Sequence, residues 1–114
     1  MTNYCPHVSL IIPTYQREKV LCDSISYALN QDYADYEIVV VDQTDTHEID
    51  TQRFLNQLPD FVRIVNHRPP SLTGARNRGI LEAHGEIVIM IDDDVIIESD
   101  FISQHLRHYH DTMA

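Results

Sequence analysis

The chain has 114 residues, with 8 basic and 18 acidic side chains and a net charge of −10. The length suits one domain over residues 1–114, and a chain of this size buries roughly 65% of its unfolded surface, enough for a core without staples. The charge excludes a general duplex-DNA or RNA binder, which needs a net basic face, and 43% hydrophobic residues exclude disorder.

Cys5 and Cys22 make no disulfide framework and no C-x-x-C pair, so two reduced thiols are expected. The N-terminal stretch lacks a basic segment followed by an apolar one, and the longest apolar runs are far too short to cross a bilayer. A cytoplasmic location is the expectation, with peripheral association at the inner face of a membrane left open.

Four apolar runs rich in Val and Ile follow one another: Val8–Ile12, Ile38–Val41, Val62–Val65 and Ile87–Ile91. None alternates apolar with polar. Continuous runs of this length read as strands buried on both faces, as in a parallel sheet. Between them lie helical stretches. Glu18–Gln31 places Val20, Leu21, Ile25, Ala28 and Leu29 on one face, and Cys22 reads as a core thiol there. Ile49–Leu58 matches more weakly. Gly74–Ala83 is bounded by the candidate N-caps Ser71 and Thr73 and by Gly85 beyond its end. A last helix, capped by Ser99 or Asp100, turns Phe101, Ile102, Leu106 and Tyr109 inward. The pattern β-α-β-α-β-α-β-α predicts an open α/β sheet with right-handed crossovers, whose ligand sits beyond the carboxyl ends of the strands.

Every strand is followed by polar residues: Pro13-Thr14-Tyr15-Gln16-Arg17, Asp42-Gln43-Thr44-Asp45, Asn66-His67-Arg68 and Asp92-Asp93-Asp94. If the backbone stays extended past Ile91, Asp92 and Asp94 point to one side and Asp93 to the other. Two carboxylates on one side repel unless a cation lies between them. An oxygen-preferring divalent ion, Mg²⁺ or Mn²⁺, is the matching partner, and a solvated acidic turn is the bland alternative. Arg63, Arg68, Arg76 and Arg78 gather half of the basic residues within sixteen positions. They read either as phosphate forks or as surface charge balance, and Arg76 and Arg78, at the start of a helix, oppose its dipole. Asp42 can accept from a nucleobase or ribose, or cap the next helix. Thr14 and Tyr15 can flank a base, or simply make a turn. His105, His108 and His110 lack the i, i+4 spacing common for zinc pairs and read as a solvated helix face.

VSLIIPTYQR, EIVVVDQTD, LTGARNRGI and GEIVIMIDDDV, in this order, resemble the motifs of family 2 glycosyltransferases of the GT-A fold, from Val8 to Phe101. The resemblance implies an open, mainly parallel four-stranded sheet in the order 3-2-1-4, flanked by helices. It implies that Pro13, Thr14, Tyr15 and Arg17 lie beside the nucleotide, that Asp42 hydrogen-bonds the base, and that Arg76 approaches the nucleotide. Asp92 and Asp94 match the D-x-D pair that holds Mn²⁺ or Mg²⁺ and the donor's ribose and pyrophosphate, with Asp93 able to substitute in part. The implied reaction transfers a sugar from a nucleotide diphosphate to an acceptor hydroxyl of a glycan, lipid or polysaccharide, with inversion.

Two features depart from the family pattern. The loop after the second strand reads Asp42-Gln43-Thr44-Asp45 where D-[DN]-G-S is common. The chain also ends about twenty residues after Asp92, so it reads as the donor-binding half alone, with the acceptor site and general base elsewhere. A non-catalytic nucleotide-sugar-binding or interaction module is the rival reading. A haloacid dehalogenase-like phosphatase also fits IVIMIDDDV, but it needs a downstream lysine, as does a receiver domain, and Lys19 is the only lysine. The fourth strand, at the sheet edge, is expected to drive self-association unless the last helix covers it.

Overall fold

The computed structural model describes residues 6–113, with side chains through residue 107. Its elements are β1 (Val8–Thr14), α1 (Lys19–Ala28), β2 (Tyr36–Asp42), α2 (Ile49–Asn56), β3 (Val62–Asn66), α3 (Leu72–Glu82), β4 (Ile87–Met90) and α4 (Phe101–Met113). The strands form one sheet in the order β3-β2-β1-β4, parallel throughout, with Val8 opposite Tyr36 and Ile87 and with Ile38 opposite Val62.

The central strands β1 and β2 are buried on both faces, whereas β3 and β4, at the sheet edges, are only partly buried, contrary to the expectation from their continuous apolar runs. On one face Leu10, Ile12, Ile38, Val40 and Ile89 pack against Leu21 and Ile25 of α1, Leu55 of α2 and Ile102 and Leu106 of α4. On the other, Ile11, Val39, Val41 and Val65 meet Ala75 of α3. This split follows from the strand order. The chain moves outward from β1 to β3 and then returns across the sheet to β4, so a crossover of constant hand puts α3 opposite the others. Gly79, one turn after Ala75, lets α3 lie close on the sheet: a Cβ there would stand 2.3 Å from Ile11 Cγ2.

Element ends differ from the expected ones for local reasons. β1 and β2 run on to Thr14 and Asp42, which pair in register and carry polar side chains into the ladder. α1 begins at Lys19 because the Glu18 carboxylate turns away to accept from the Glu48 N–H, and it stops at Ala28. Gln31, expected inside α1, instead donates to the Glu98 carbonyl and accepts from the Ile102 N–H. α3 starts two residues earlier than expected, capped by Ser71, whose Oγ accepts from the Gly74 N–H at 3.0 Å. Arg76 and Arg78 therefore lie beyond its first turn, and the dipole conflict expected of them fades. β4 ends at Met90, and the chain turns at Asp93–Asp94 rather than staying extended.

Ile102 and Leu106 of α4 share a core cluster with Ile89 of β4, while among the described residues the strand pairs with β1 alone, and Val88 is exposed. Tyr109, expected inward, the His108–His110 part of the histidine cluster and Cys5 lie outside the described side chains. Cys22 is half-buried, and burial raises its thiol pKa. Among the described residues no helix is long and apolar enough to cross a membrane.

Candidate functional site

The strand order reverses between β1 and β4, so the loops leaving these two neighbours diverge and leave a crevice at their carboxyl ends. A cleft of about 550 Å³ lies there. Pro13, Thr14, Tyr15 and Arg17 line it from the first loop, Asp92, Asp93 and Asp94 from the fourth, and Gln43 with Pro70, Ser71 and Leu72 close it.

The three aspartates are not equivalent. Asp93 is held: its Oδ2 accepts from the Thr14 hydroxyl at 2.9 Å and lies 3.5 Å from Arg17 Nε, and its carbonyl accepts from the Ser24 hydroxyl at 2.8 Å. Asp92 and Asp94 are exposed and have no hydrogen-bond or ion-pair partner among the described residues. Two free carboxylates beside a bolted third are suited to a hard cation that takes one or two carboxylates and completes its shell with water and phosphate oxygens. Among the described residues no three His, Cys, Asp or Glu side chains form a ready cation site, so the remaining ligands have to come from solvent or a bound anion.

Gln43 ties the rim together. Its backbone N–H donates to the Thr14 carbonyl at 3.0 Å and its side-chain oxygen accepts from the Ser71 N–H at 2.6 Å. Gln16, at a φ of 55°, donates its N–H to Thr44 Oγ1 at 2.8 Å. A non-glycine residue in that region costs about 1–2 kcal/mol, held here beside the cleft.

Asp42 is placed differently from the first-loop residues. It lines a second cleft, of about 720 Å³, together with His47, Asn66, Arg68 and Arg78. Its carboxylate accepts from the Thr44 N–H at 3.1 Å and stands 2.6 Å from His47 Nε2. The far nitrogen of His47 stands 2.9 Å from Glu18 Oε2, and Glu18 Oε1 accepts from the Glu48 N–H at 2.7 Å. The side chains of His47 and Asp42 are each 4% exposed. Burial works against the charged ring, but the hydrogen bonds to Asp42 and Glu18 outweigh it and raise the His47 pKa above its ordinary value. Burial likewise works against the Glu18 carboxylate, and the Glu48 N–H and His47 outweigh it and lower that group.

Three of the four clustered arginines are engaged within the chain. Arg63 bonds Glu37 and Glu82, Arg68 bonds Asp45 at 2.6 Å and the Thr44 carbonyl at 2.8 Å, and Arg78 bonds Glu82 at 3.1 Å. Arg76 is exposed and lines neither cleft. Sequence reasoning passed over His47, Glu18 and Ser24. His47 has acids on both sides in the sequence, Asp42, Asp45, Glu48 and Asp50, so spacing does not single out its partners, Asp42 and the distant Glu18.

The profile of glycosyl transferase family 2 matches residues 9–114, and the chain belongs to that family. It is 33% identical over 94 residues to the GalNAc(5)-diNAcBac-PP-undecaprenol beta-1,3-glucosyltransferase of Campylobacter jejuni, a match taking in 78% of this chain and 30% of the relative. It is 29% identical over 107 residues to the dolichyl N-acetyl-alpha-D-glucosaminyl phosphate 3-beta-D-2,3-diacetamido-2,3-dideoxy-beta-D-glucuronosyltransferase of Methanococcus voltae, covering 90% of this chain and 33% of that one. Among solved structures it resembles the mannosyltransferase PcManGT from Pyrobaculum calidifontis, in complex with GDP-Man and Mn²⁺, with a TM-score of 0.78 and 26% identity over 91% of this chain and 32% of that one. The fold is GT-A, and the chain spans about a third of the length of these relatives.

Proposed function

We propose that this chain is the donor-binding part of a glycosyltransferase. The bound molecule is a nucleoside diphosphate sugar, and the reaction transfers its sugar to an acceptor hydroxyl with inversion. The observation that carries this reading is the pair of unpartnered carboxylates, Asp92 and Asp94, at the strand-order reversal of a parallel sheet. In a chain of net charge −10, carboxylates facing an anionic diphosphate need a cation between them, and the donor set suits Mg²⁺ or Mn²⁺. A cation bound there would neutralise charge developing on the departing diphosphate.

The chain's own residues have separable tasks in this reading. Asp92 and Asp94 hold the cation and, through it, the diphosphate end. Tyr15, exposed on the first loop, offers a face for the base, and Arg17 faces the phosphates. Thr14, Asp93 and Ser24 keep the two loops in register and shape the cleft. Asp42 accepts from the nucleoside. The acceptor and the general base belong to residues outside this chain, so the isolated chain binds donor without rapid transfer. Its exposed β4 edge pairs with a second copy.

Calorimetry with UDP and GDP, in EDTA and with added Mn²⁺ or Mg²⁺, tests the reading. Metal-dependent binding of either nucleotide supports it. Equal binding in EDTA, or none with metal, overturns it.

A further inference from the structure

The Glu18–His47–Asp42 chain lies outside the acidic cleft and joins three places in the fold: the residue before α1, the end of β2 and, through the Glu48 N–H, the residue before α2. A neutral imidazole can donate to only one of its two flanking carboxylates and must turn a lone pair toward the other. At 2.6 and 2.9 Å, in a ring nearly excluded from water, that arrangement is repulsive, whereas an imidazolium donates to both. Among the described residues no lysine or arginine pairs with Asp42: of the other charged groups on that cleft, Asp45 and Arg68 pair with each other, and Arg78 pairs with Glu82. The His47 ring is therefore the cation that faces Asp42.

With Thr44 N–H on one oxygen and His47 on the other, the Asp42 carboxylate is held at both ends. A carboxylate oxygen facing such a donor accepts its hydrogen bond. Each oxygen keeps a lone pair for an N–H of a base edge or a ribose hydroxyl.

We propose that His47 is a positioning residue: its protonated ring holds Asp42 as a fixed acceptor for the nucleoside of the donor, and nucleotide affinity falls when the ring loses its proton. This rests on the donor-binding reading above. The direction is set by the geometry. Deprotonation leaves one of the two carboxylates facing a lone pair, the clasp loosens, and Asp42 gains rotational freedom. Affinity is highest at the acid side of the ring's titration and lost as pH rises through it.

Two titrations of the 114-residue chain test this. The first follows the His47 ring protons by NMR, and the second measures UDP and GDP binding with Mg²⁺, both from about pH 6 to about pH 9. Wild-type affinity is expected to fall about tenfold in step with the ring's own titration. Glu18→Gln removes one carboxylate and leaves Asp42 in place. It should lower the ring's midpoint and move the binding midpoint by the same amount, a coupling that a purely structural role does not produce. His47→Asn should weaken binding about tenfold at the acid end and flatten the pH profile. If that variant does not fold, Glu18→Gln decides alone. Binding that ignores the ring's titration, or a binding midpoint unmoved by Glu18→Gln, overturns the positioning role and leaves the donor reading intact. Failure of the folded wild-type chain to bind either nucleotide at any pH overturns the donor reading and this role with it.

Discussion

Thr14 and Asp93 stand 79 positions apart in the chain, and the Thr14 hydroxyl donates to Asp93 Oδ2 at 2.9 Å. This bond closes the seam between the loops of β1 and β4, and it gives the middle aspartate of the triplet a task different from its neighbours'. Thr14→Val keeps the shape and removes the donor. It leaves Asp93 Oδ2 with Arg17 alone, so the variant should lose about 1–3 kcal/mol in urea unfolding. Thr14→Ser, which keeps the hydroxyl, should retain most of it. A Thr14→Val chain as stable as wild type would show that the seam is held by packing instead.

Asp92 and Asp94 should fail in a different way. Neither has a partner to lose, so Asp94→Ala should leave the urea midpoint nearly unchanged and weaken metal-dependent nucleotide binding by about 1.5–3 kcal/mol. Calorimetry with Mn²⁺ and in EDTA separates the two effects. Undiminished binding by Asp94→Ala would remove it from the metal site.

These contrasts mark how far the sequence could be read. The four β-branched runs stand out because parallel strands are buried on both faces, and their count and parallel packing follow from the helices between them. The polar extensions of β1 and β2, Thr14 and Asp42, were hidden because their burial depends on partners in other elements. The same holds for the buried Ser9–Glu37 bond, whose members are 28 positions apart. At the site, the acidic triplet and first loop were legible as residue types after strands. Which aspartate is bolted and which are free depends on a turn at Asp93–Asp94 that no spacing rule announces. The arginine cluster read either as phosphate forks or as surface charge balance, and three of its members pair with Glu37, Asp45 and Glu82 of this chain.

Glu37 sets an acid limit on stability. Burial works against its charged form, but the Ser9 hydroxyl, the His84 N–H and Arg63 outweigh it and lower its pKa below the ordinary 4.5. A carboxyl lowered in the folded state contributes stability that is full above its unfolded pKa and lost as pH falls through the folded one. Stability should therefore be flat in Glu37's contribution above about pH 5 and decline below pH 4.5. Glu37→Gln should unfold at lower urea at neutral pH, with the gap to wild type closing on acidification. A constant gap down to acid pH would show that the charge contributes nothing.

Gly79 tests the approach of α3 to the sheet. Alanine in mid-helix ordinarily gains about 1 kcal/mol over glycine. Here the added Cβ would meet Ile11 Cγ2 at 2.3 Å and Val41 Cγ2 at 3.4 Å. Ile11 is a β-branched side chain in the centre of β1, fully buried, with little freedom to move aside. Overlap should win, and Gly79→Ala should destabilise by about 1–3 kcal/mol in urea unfolding. Stabilisation would mean that the helix lifts off the sheet more readily than this packing implies.

Ile102 and Leu106 of α4 share a core cluster with Ile89 of β4, but among the described residues β4 pairs only with β1, so the opposite row of backbone groups faces outward. Val88 is exposed and Met90 half-buried on the face away from α4, and proline is absent from the strand. Such an edge adds a strand from another molecule readily. A second copy offers the same edge, so pairing about a two-fold axis satisfies both at once. The 114-residue chain should therefore show a rising apparent mass across a concentration series in light scattering. Val88→Lys, which places a charge on the strand without touching the core behind it, should return it to a monomer. A clean monomer at high concentration with slowly exchanging amides along Ile87–Met90 would mean that the edge is protected within the single chain.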